Sequence, residues 1–351
     1  MLDKLLFIFR QILKYKNPDS TLSFCRLLIL TGASFIGGGV LWSVTATLQL
    51  FSVPIDISVG PADAGIWGAV LLGVGVVLGI WRIVSISKLT TGLLIIHRGM
   101  EGMEITAAKA ALPRSFSNGR LDVIDVKEGY QQDQGKLHRP ESALRAILDL
   151  PRQVSTRLSD QASTDLKLAY AGLAPVPLLI AAGYVISSRQ QCLVMDFKRG
   201  SGWHCLDSPD DGESIDIVPP SEEGAKNIAL VFSFSAAISA SQIPEGFKDK
   251  TYFINLSKGA RVDSLSSEDK QLRIAGEIYS FVANLKAGHP ALERVHIFMA
   301  AQASFSFRLG TILTASVHPS VSAYQYDPST GGYTWGVSID SGKEPSIVHL
   351  G

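Results

Sequence analysis

Two long stretches without a charged residue stand out in the first quarter of the chain, residues 27–50 and residues 64–81. Each approximates the ~20 mainly apolar residues that a membrane-spanning helix needs. The link between them contains Pro54 and Pro61, which disfavour a continuous helix. The pattern therefore predicts a hairpin of two transmembrane helices, which we place within residues 21–90.

Basic residues flank the hairpin on both sides, whereas the link between its helices carries only Asp56 and Asp63 as charges. Because Lys and Arg concentrate on the cytoplasmic side of a membrane, this distribution predicts that both chain termini and everything after the hairpin are cytoplasmic. Residues 1–20 are apolar with Lys and Arg on one side. They predict a short amphipathic segment along the inner membrane surface, with an ordinary N-terminal extension as the alternative.

Small residues recur within both spans, and Gly75 and Gly79 form a G-x-x-x-G pair. Such spacing lets two helices approach closely in lipid. Two interpretations stay open: packing of the hairpin on itself, or contact between the hairpins of different chains. No ionisable residue lies in the middle of either span, which argues against a proton relay or an ion-selective transporter.

From residue 91 onward, apolar runs of strand length alternate with segments of helical periodicity, and the order of elements occurs twice. Such alternation is typical of parallel α/β sheets, so we predict two related α/β units over about residues 91–207 and 227–351. Residues 207–226 between them are rich in acidic residues and proline, and we expect a solvated linker there. The predicted strands are residues 92–96, 121–126, 165–172, 191–198, 203–206, 227–234, 251–256, 295–300, 321–326 and 333–339, and the main predicted helices are residues 141–150, 175–186 and 266–285 and one that begins near residue 303.

The two units correspond in detail around two glycines. The stretch LAYAGLAPVPLLIAAGYVI resembles VHIFMAAQASFSFRLGTIL: each has a strand, small residues, and a helix with Gly183 or Gly310 before two apolar positions. Each is followed by a strand, a glycine-containing turn, and a short strand that carries Trp203 or Trp335. In parallel α/β sheets, ligands bind outside the carboxyl ends of the strands. Two such units side by side therefore predict one composite ligand pocket.

Composition and motifs favour a binding module over an enzyme in the cytoplasmic part. The formal net charge is +0, which disfavours a general nucleic-acid coat because such a protein needs excess Lys and Arg. The three cysteines show neither C-x-x-C spacing nor a disulfide framework, which indicates a reducing compartment. The sequence contains no G-x-x-x-x-G-K-[ST], G-x-S-x-G or H-E-x-x-H motif, and its histidines are scattered. We therefore predict no catalytic residue and no metal site.

Four stretches together resemble the SAVED domain, a cyclic-oligonucleotide sensor of CBASS antiphage systems. They are AYAGLAPVPLLIAAGYVI, CLVMDFKRGSGWHCL, VHIFMAAQASFSFRLG and VSAYQYDPSTGGYTWGVSI, and the resemblance covers roughly residues 90–339. It implies a membrane α-helical hairpin followed by two fused CARF-like (Rossmann-like) α/β units that form a SAVED domain. The chain departs from the family pattern at two places: family members commonly have Gly-Pro where Ala301 and Gln302 stand, and Glu where Gln325 follows Tyr324.

The resemblance also implies a role. A nucleotidyltransferase activated by infection makes a cyclic di- or trinucleotide, which is the activating ligand, and no other cofactor is implied. The SAVED domain binds this ligand and forms a homo-oligomer, and the attached effector then acts. Here the effector would be the hairpin in the lipid bilayer of the bacterial inner membrane, and its action would be membrane disruption.

We expect the ligand to lie across both units, in contact with loops and strand-to-helix turns. Backbone N–H groups at helix N-termini and side-chain hydroxyls suit phosphate oxygens. Arg98 adds a positive charge, and Phe234 or Phe305 can stack on a base. The predicted ligand-binding residues are His97, Arg98, Gly99, Ala174, Pro175, Ser233, Phe234, Ser235, Gln302, Ala303, Ser304 and Phe305.

Two rival functions stay open. One is a membrane-tethered enzyme, such as a nuclease or hydrolase, with the hairpin as a passive anchor. That function needs a cluster of carboxylates or a pair of histidine and nucleophile, and the sequence shows neither. The other is a sensor that recruits a partner protein to the membrane.

Overall fold

The computed structural model describes residues 20–37, 61–99, 104–117, 120–127, 132–133, 136–159, 165–186, 192–314 and 317–350. The chain forms two compact units, Met1–Leu89 and Thr90–Gly351, which we call the N-terminal unit and the C-terminal unit. The predicted amphipathic segment, residues 1–20, lies outside the described residues except for its last residue.

Two helices make up the described part of the N-terminal unit. Helix α1 is Ser20–Gly37 and helix α2 is Pro61–Leu89. Among the described helices, one is long and apolar enough to cross a membrane: α2 contains Gly65–Arg82, with a mean hydropathy of 1.7 over 18 residues. The rest of the first predicted span, residues 38–50, lies outside the described residues. A hairpin of two transmembrane helices is therefore not confirmed.

Glycines line the contact between α1 and α2. A Cβ atom added at Gly32 would lie 2.6 Å from the backbone nitrogen of Leu72, and one added at Gly75 would lie 3.1 Å from the carbonyl oxygen of Cys25. Gly75 thus takes part in a contact between α1 and α2 of one chain, as expected if the small residues pack the hairpin on itself. The large apolar side chains of α2 that are exposed are those of Ile66, Trp67, Val70, Val74, Val77, Ile80 and Trp81.

The first half of the C-terminal unit is a mainly parallel sheet with flanking helices. Its elements are β1 (Thr90–Arg98), α3 (Ile105–Ala110), α4 (Arg114–Ser117), β2 (Arg120–Val126), β3 (Gln132–Asp133), β4 (Lys136–Leu137), α5 (Pro140–Leu148), α6 (Leu150–Ser159), β5 (Asp165–Leu173), α7 (Val176–Ile186), β6 (Cys192–Lys198) and β7 (Gly202–Cys205). A five-stranded sheet has the order β2-β1-β5-β6-β7, in which only β7 runs antiparallel to its neighbour. Strands β3 and β4 pair with each other.

The second half is a larger mixed sheet. Its elements are β8 (Ile215–Val218), β9 (Asn227–Ser233), two 3-10 helices (Ala240–Gln242 and Glu245–Lys250), β10 (Thr251–Leu256), α8 (Glu268–Gly288), β11 (Arg294–Ala300), α9 (Ala303–Ile312), β12 (Ser320–Asp327), β13 (Gly332–Ile339) and β14 (Ser346–His349). The seven-stranded sheet has the order β14-β13-β12-β11-β9-β10-β8. Strands β9 to β12 are parallel, and β8, β13 and β14 are antiparallel to their neighbours.

The two sheets repeat one topology, which confirms the predicted duplication of an α/β unit. The order β2-β1-β5-β6-β7 of the first half reappears as β10-β9-β11-β12-β13 in the second half. Hydrogen bonds at equivalent points agree as well. The Gly99 N–H donates to the Leu173 carbonyl at 3.0 Å, and the Phe234 N–H donates to the Ala300 carbonyl at 2.9 Å.

Helices α7 and α9 cross at the two corresponding glycines. A Cβ atom added at Gly183 would lie 2.0 Å from the Phe307 carbonyl oxygen, and one added at Gly310 would lie 2.0 Å from the Ile180 carbonyl oxygen. The contact is therefore symmetric: a backbone carbonyl of each helix packs directly against the glycine of the other helix. One hydrophobic cluster runs from the first sheet through both helices to the second sheet.

Residues 207–226 are exposed at most positions, as a solvated linker would be, but the segment is built into the second half. The segment supplies β8, which pairs antiparallel with β10 at the edge of the second sheet. Its Glu213 side chain is fully buried (0% exposed) and accepts hydrogen bonds from Arg261 at 2.6 Å and from Lys270 at 2.7 Å. Hydrogen bonds from Arg261 and then from Lys270 lower the pKa of Glu213 to about 2, against the opposing effect of burial. Ion pairs thus fix this segment on the second half.

We expect Gly183→Ala to destabilise the C-terminal unit, because the new methyl group would meet the Phe307 carbonyl oxygen at 2.0 Å. Forcing extra volume into a packed core costs about 1–3 kcal/mol, and a backbone oxygen cannot rotate away as a side chain can. The measurement is thermal or urea unfolding of the full chain in detergent. Gly276→Ala is the matched control, because Gly276 lies in α8 with open space around it. The control should be neutral or stabilising by up to about 1 kcal/mol, and equal losses in both variants would contradict the crossing.

We expect the Glu213 cluster to make the fold sensitive to acid. A carboxylate whose pKa falls on folding stabilises the native state above its ordinary pKa of 4.5, and this contribution is lost as the pH falls from 4.5 towards 2. Glu213→Gln removes the contribution and leaves buried Lys270 with Asp211, at 2.9 Å, as its charged partner, so we expect a loss smaller than the ~3–5 kcal/mol of an uncompensated buried charge. Unfolding curves from neutral pH to about pH 3 measure both effects.

Glu277→Gln is the control for this experiment. Like Glu213, Glu277 pairs with an arginine, but this arginine, Arg273, lies in the same helix, α8, and the Glu277 side chain is 42% exposed. Exposed pairs on a helix contribute about 0.3–0.5 kcal/mol, so this variant should unfold nearly as the parent does. If the free energy of unfolding falls with pH equally in the parent and in Glu213→Gln, Glu213 is not the source of the pH dependence.

Candidate functional site

The end of β1 is linked to the second half through a stack of rings. His97 is fully buried, and its Nδ1 lies 2.6 Å from the Tyr170 hydroxyl. The Tyr170 ring stacks on Phe307 of α9, with 3.8 Å between ring centroids. Burial lowers the pKa of His97 to about 3, so its imidazole is neutral at physiological pH. The predicted site residue His97 therefore lies at the seam between the halves, inside the protein.

Arg98 follows His97 at the end of β1 and is held by a carboxylate. Its Nε and Nη2 donate to the two oxygens of Asp125, on the neighbouring strand β2, at 2.8 and 2.6 Å. Both side chains are about a quarter exposed. The hydrogen bonds that Arg98 donates to the Asp125 carboxylate raise the pKa of Arg98, so the guanidinium stays charged. Its orientation along the edge of the sheet is fixed by a bidentate pair.

The equivalent loop of the second half is mostly buried. The Ser233 hydroxyl accepts a hydrogen bond from the Ile238 N–H at 3.1 Å. Phe234 packs edge to face against Phe305, with 5.3 Å between centroids, and both rings are fully buried. Ser235 is partly exposed, and its N–H donates to the Ala300 carbonyl at 2.8 Å. Of these predicted residues, Ser235 is the one that presents its side chain towards solvent.

The turn from β11 into α9 is filled by hydrogen bonds. The Gln302 carbonyl Oε1 accepts from the Leu265 N–H at 2.5 Å, and its amide donates to the Asp196 carboxylate. The Ser304 hydroxyl accepts from Gln271 of α8 at 2.8 Å. Gln302 and Ser304 are buried, whereas Ala303 is partly buried. This turn therefore joins three elements of the second half to β6 of the first half.

Asp196 is a site residue that the sequence pattern did not single out. It lies in β6 and is 3% exposed, and its carboxylate accepts a hydrogen bond from the Gln302 side-chain amide. Burial raises the pKa of Asp196, although the hydrogen bonds from Gln302 and the backbone oppose the rise. The partners Asp196 and Gln302 are 106 residues apart in the chain, so no local pattern indicates their contact.

The turn from β5 into α7 is capped from the opposite direction. The Val176 N–H donates to the side-chain oxygen of Gln325, in β12, at 3.0 Å. Ala174 and Pro175 are partly buried in this turn. Pro177 has no N–H, and the Leu178 N–H donates to the Pro175 carbonyl at 3.0 Å. The first turn of α7 thus has few donors left for a ligand.

Asp196 and Gln325 occupy equivalent places in the two halves. Asp196 directly follows the residue that pairs with Ala171, and Gln325 directly follows the residue that pairs with Phe298. Ala171 and Phe298 lie the same number of residues before Gly183 and Gly310, the glycines at which α7 and α9 cross. Asp196 and Gln325 each reach across the seam to the start of the other half's helix. The two halves are therefore joined by a reciprocal pair of hydrogen bonds at the starts of α7 and α9.

A family comparison identifies this architecture. Residues 150–339 match SAVED, described as the "SMODS-associated and fused to various effectors sensor domain". The chain belongs to the SAVED family. The match begins after β1 and β2, although these strands complete the first sheet of the domain.

A comparison with solved structures finds SAVED/CARF-domain containing receptors at low sequence identity. The Cap4 SAVED/CARF-domain containing receptor of Acinetobacter baumannii, solved with the cyclic trinucleotide 3′3′3′-cAAA, is 12% identical with a TM-score of 0.49; the similarity covers 85% of this chain and 64% of that receptor. The corresponding receptor of Moraxella osloensis is 14% identical with a TM-score of 0.43, over 79% of this chain and 60% of that one. The chain therefore spans less than two thirds of these receptors. No curated protein is significantly similar in sequence.

The SAVED domain buries most of the predicted ligand residues. Those with buried positions are His97, Gly99, Ser233, Phe234, Gln302, Ser304 and Phe305, and those partly exposed are Arg98, Ala174, Pro175, Ser235 and Ala303. A separate groove of about 430 Å³ lies between α5 and residues 344–347, and none of the predicted residues lines it. Among the described residues, no group of three His, Cys, Asp or Glu side chains could hold a metal ion. Ligand contact by the predicted residues stays a prediction.

We expect Gln302→Ala to destabilise the SAVED domain, because it leaves the buried Asp196 carboxylate and the Leu265 N–H without their partner. An unsatisfied buried polar group costs about 1–3 kcal/mol, and more when it is charged. Thermal unfolding measures the loss. Asn284→Ala is the control, since the Asn284 side chain donates to the Ser280 carbonyl on the exposed face of α8. An unchanged melting temperature in Gln302→Ala would contradict the polar network.

Proposed function

We propose that this protein is a membrane-attached effector of antiphage defence that senses a cyclic oligonucleotide through its SAVED domain. The observation that carries the proposal is the SAVED family match over residues 150–339, within two sheets that repeat one topology. We propose that the SAVED domain acts as a sensor and not as an enzyme.

The ligand that we propose is a cyclic di- or trinucleotide made by an associated nucleotidyltransferase. A cyclic ligand presents the same groups more than once, and the seam presents equivalent elements twice, from the end of β1 and the end of β9. Arg98 and Ser235 are the predicted contacts with exposed side-chain surface at these two ends. A positive charge and a hydroxyl are suited to phosphate oxygens. Binding would draw SAVED domains into a homo-oligomer.

The output that we propose is disruption of the inner membrane by the N-terminal unit, with the SAVED domain and both termini in the cytoplasm. Helix α2 supports this proposal, because it is apolar over Gly65–Arg82 and exposes large apolar side chains such as Val77, at 64% exposure. Contiguous exposed apolar surface on a helix suits a lipid environment or a second helix.

We expect the purified full chain in detergent micelles to bind one member of a panel of cyclic di- and trinucleotides in isothermal titration calorimetry. The panel includes 3′3′3′-cAAA, the ligand of the A. baumannii receptor, with linear trinucleotides as controls. Ser235→Asp should weaken binding by about tenfold, because it places a negative charge at the proposed phosphate contact. Ser341→Asp, at an exposed turn after β13, should bind as the parent does. Equal affinity of all three proteins would contradict the assignment of Ser235.

Ligand-triggered leakage of dye from liposomes that carry the full chain tests the output. A chimaera in which an unrelated transmembrane anchor replaces residues 1–89 separates the alternatives. In the disruption model, the chimaera binds ligand, but liposomes that carry it do not release dye and cells that make the ligand survive. Toxicity of the chimaera would favour a tethered enzyme or a sensor that recruits a partner.

A further inference from the structure

The groove between α5 and residues 344–347 is a cavity that the proposed ligand site does not use. Its volume of about 430 Å³ lies within the range of ordinary binding clefts, ~300–1,000 Å³. Apolar side chains line part of it, namely those of Leu144, Leu148 and Ile347. The groove is therefore large enough, and apolar enough, to receive side chains of another molecule.

The charge of the groove is mainly negative. The carboxylates of Glu141, Asp149 and Glu344 line it, beside the guanidinium of Arg145. Asp149 pairs with Arg152 at 2.6 Å, whereas neither Glu141 nor Glu344 takes part in an ion pair between described residues. A groove with apolar walls and unpaired carboxylates is complementary to a partner that presents a cation beside an apolar side chain.

The hairpin between β6 and β7 presents this combination of groups. The Phe197 side chain is 36% exposed, and Arg199 at the tip is exposed and takes part in no ion pair between described residues. Aromatic and arginine side chains are enriched at protein interfaces. The equivalent hairpin of the second half, between β12 and β13, has Asp327 in place of Lys198 and Pro328 in place of Arg199. Of these two equivalent hairpins, the one in the first half is therefore the basic one.

The hairpin and the groove of one chain lie too far apart to meet. Lys198 of the hairpin pairs with Asp263 at 3.5 Å, in a loop that contacts the carboxyl end of β9. In the second sheet, β9 and β14 are four strand spacings apart, which is about 19 Å. The register across the sheet also places Ser346 of the groove level with Ala229, near the amino end of β9. The hairpin and the groove therefore face opposite ends of the sheet.

We propose that the β6–β7 hairpin of one chain docks into the groove of a second copy, with Arg199 at the carboxylates of Glu141 and Glu344 and Phe197 on the apolar lining. The inference rests on the proposed function and deepens it, because it gives the proposed homo-oligomer its surfaces. Since the two surfaces differ, the contact is heterologous and joins chains head to tail. A contact of one hairpin with one groove is small, so we expect association to be weak until ligand binding or the membrane concentrates the chains.

Sedimentation velocity of the full chain in detergent tests the contact, over a range of protein concentrations and with or without the cyclic di- and trinucleotide panel. We expect Arg199→Glu and Glu344→Arg each to weaken self-association by about tenfold or more. An equimolar mixture of the two variants should recover the association of the parent. In that mixture, one kind of hairpin–groove pair is the parental one and the other has both charges reversed.

Lys286→Glu is the matched control for the charge change. Lys286 is exposed in the last turn of α8 and lines neither surface, so this variant should associate as the parent does.

Cross-linking in liposomes locates the contact directly. Chains with Arg199→Cys and chains with Ser346→Cys carry different tags, are mixed, and are treated with a short bismaleimide. We expect a product that joins the two tags. Lys286→Cys in place of Arg199→Cys is the control for random collisions and for the native cysteines, and its yield should be at least about fivefold lower.

The outcomes separate the inference from the proposed function. Weaker association of each charge reversal, with recovery on mixing, supports the inference. Loss without recovery, equal association of the parent and Arg199→Glu, cross-linking no greater than in the control, or a parent that stays monomeric under every condition overturns it. Calorimetric titration of the same proteins judges the sensor: ligand binding without the contact removes only this interface, and the contact without ligand binding upholds the interface and removes the proposed sensing.

Discussion

The crossing of α7 and α9 at Gly183 and Gly310 is the constraint on which the C-terminal unit depends. Each glycine receives a backbone carbonyl of the other helix at a distance that any side chain would prevent. Because each helix follows the strand of its own sheet directly, the contact fixes how the two sheets face each other. It also brings the two strand-to-helix turns to one seam, and the hydrophobic cluster of both halves closes around it.

Polar side chains then make this seam specific. The Asp196 carboxylate, the Gln302 side chain and the Leu265 N–H satisfy one another inside the protein, and the Tyr170 hydroxyl bonds to the buried His97. Of these hydrogen bonds, Asp196–Gln302 joins the two halves. Separation of the halves would leave both of these buried groups without their partner unless water replaced it, and each unsatisfied buried group costs about 1–3 kcal/mol. The halves are therefore expected to fold and unfold together, although each contains a complete sheet.

The sequence predicts local and repeated features well, because periodicity and small residues report them directly. The strand over Thr251–Leu256, the helix beginning at Ala303 and the corresponding glycines Gly183 and Gly310 are all found in the structure. Contacts between distant residues carry no such signal. Val176 and its cap Gln325 are 149 residues apart, and Glu213 lies in a run of acidic residues whose composition is that of a solvated segment. The composition of a segment shows how many charged residues it has. Whether one of them is buried depends on the partners that folding brings to it, which for Glu213 are Arg261 and Lys270.

The same limit applies to the predicted ligand site. A strand that feeds a helix through small residues suggests free N–H groups for a phosphate, and this argument treats each turn as isolated. In the folded protein, both turns use a donor to hold the opposite half: the Val176 N–H donates to the Gln325 side chain, and the Gln302 side-chain amide donates to the Asp196 carboxylate. A donor that holds the halves together cannot bind a ligand at the same time. Any ligand that binds to these turns must therefore replace contacts between the halves with contacts to itself. The difference in free energy between these two sets of contacts determines how far binding shifts the equilibrium between arrangements of the halves.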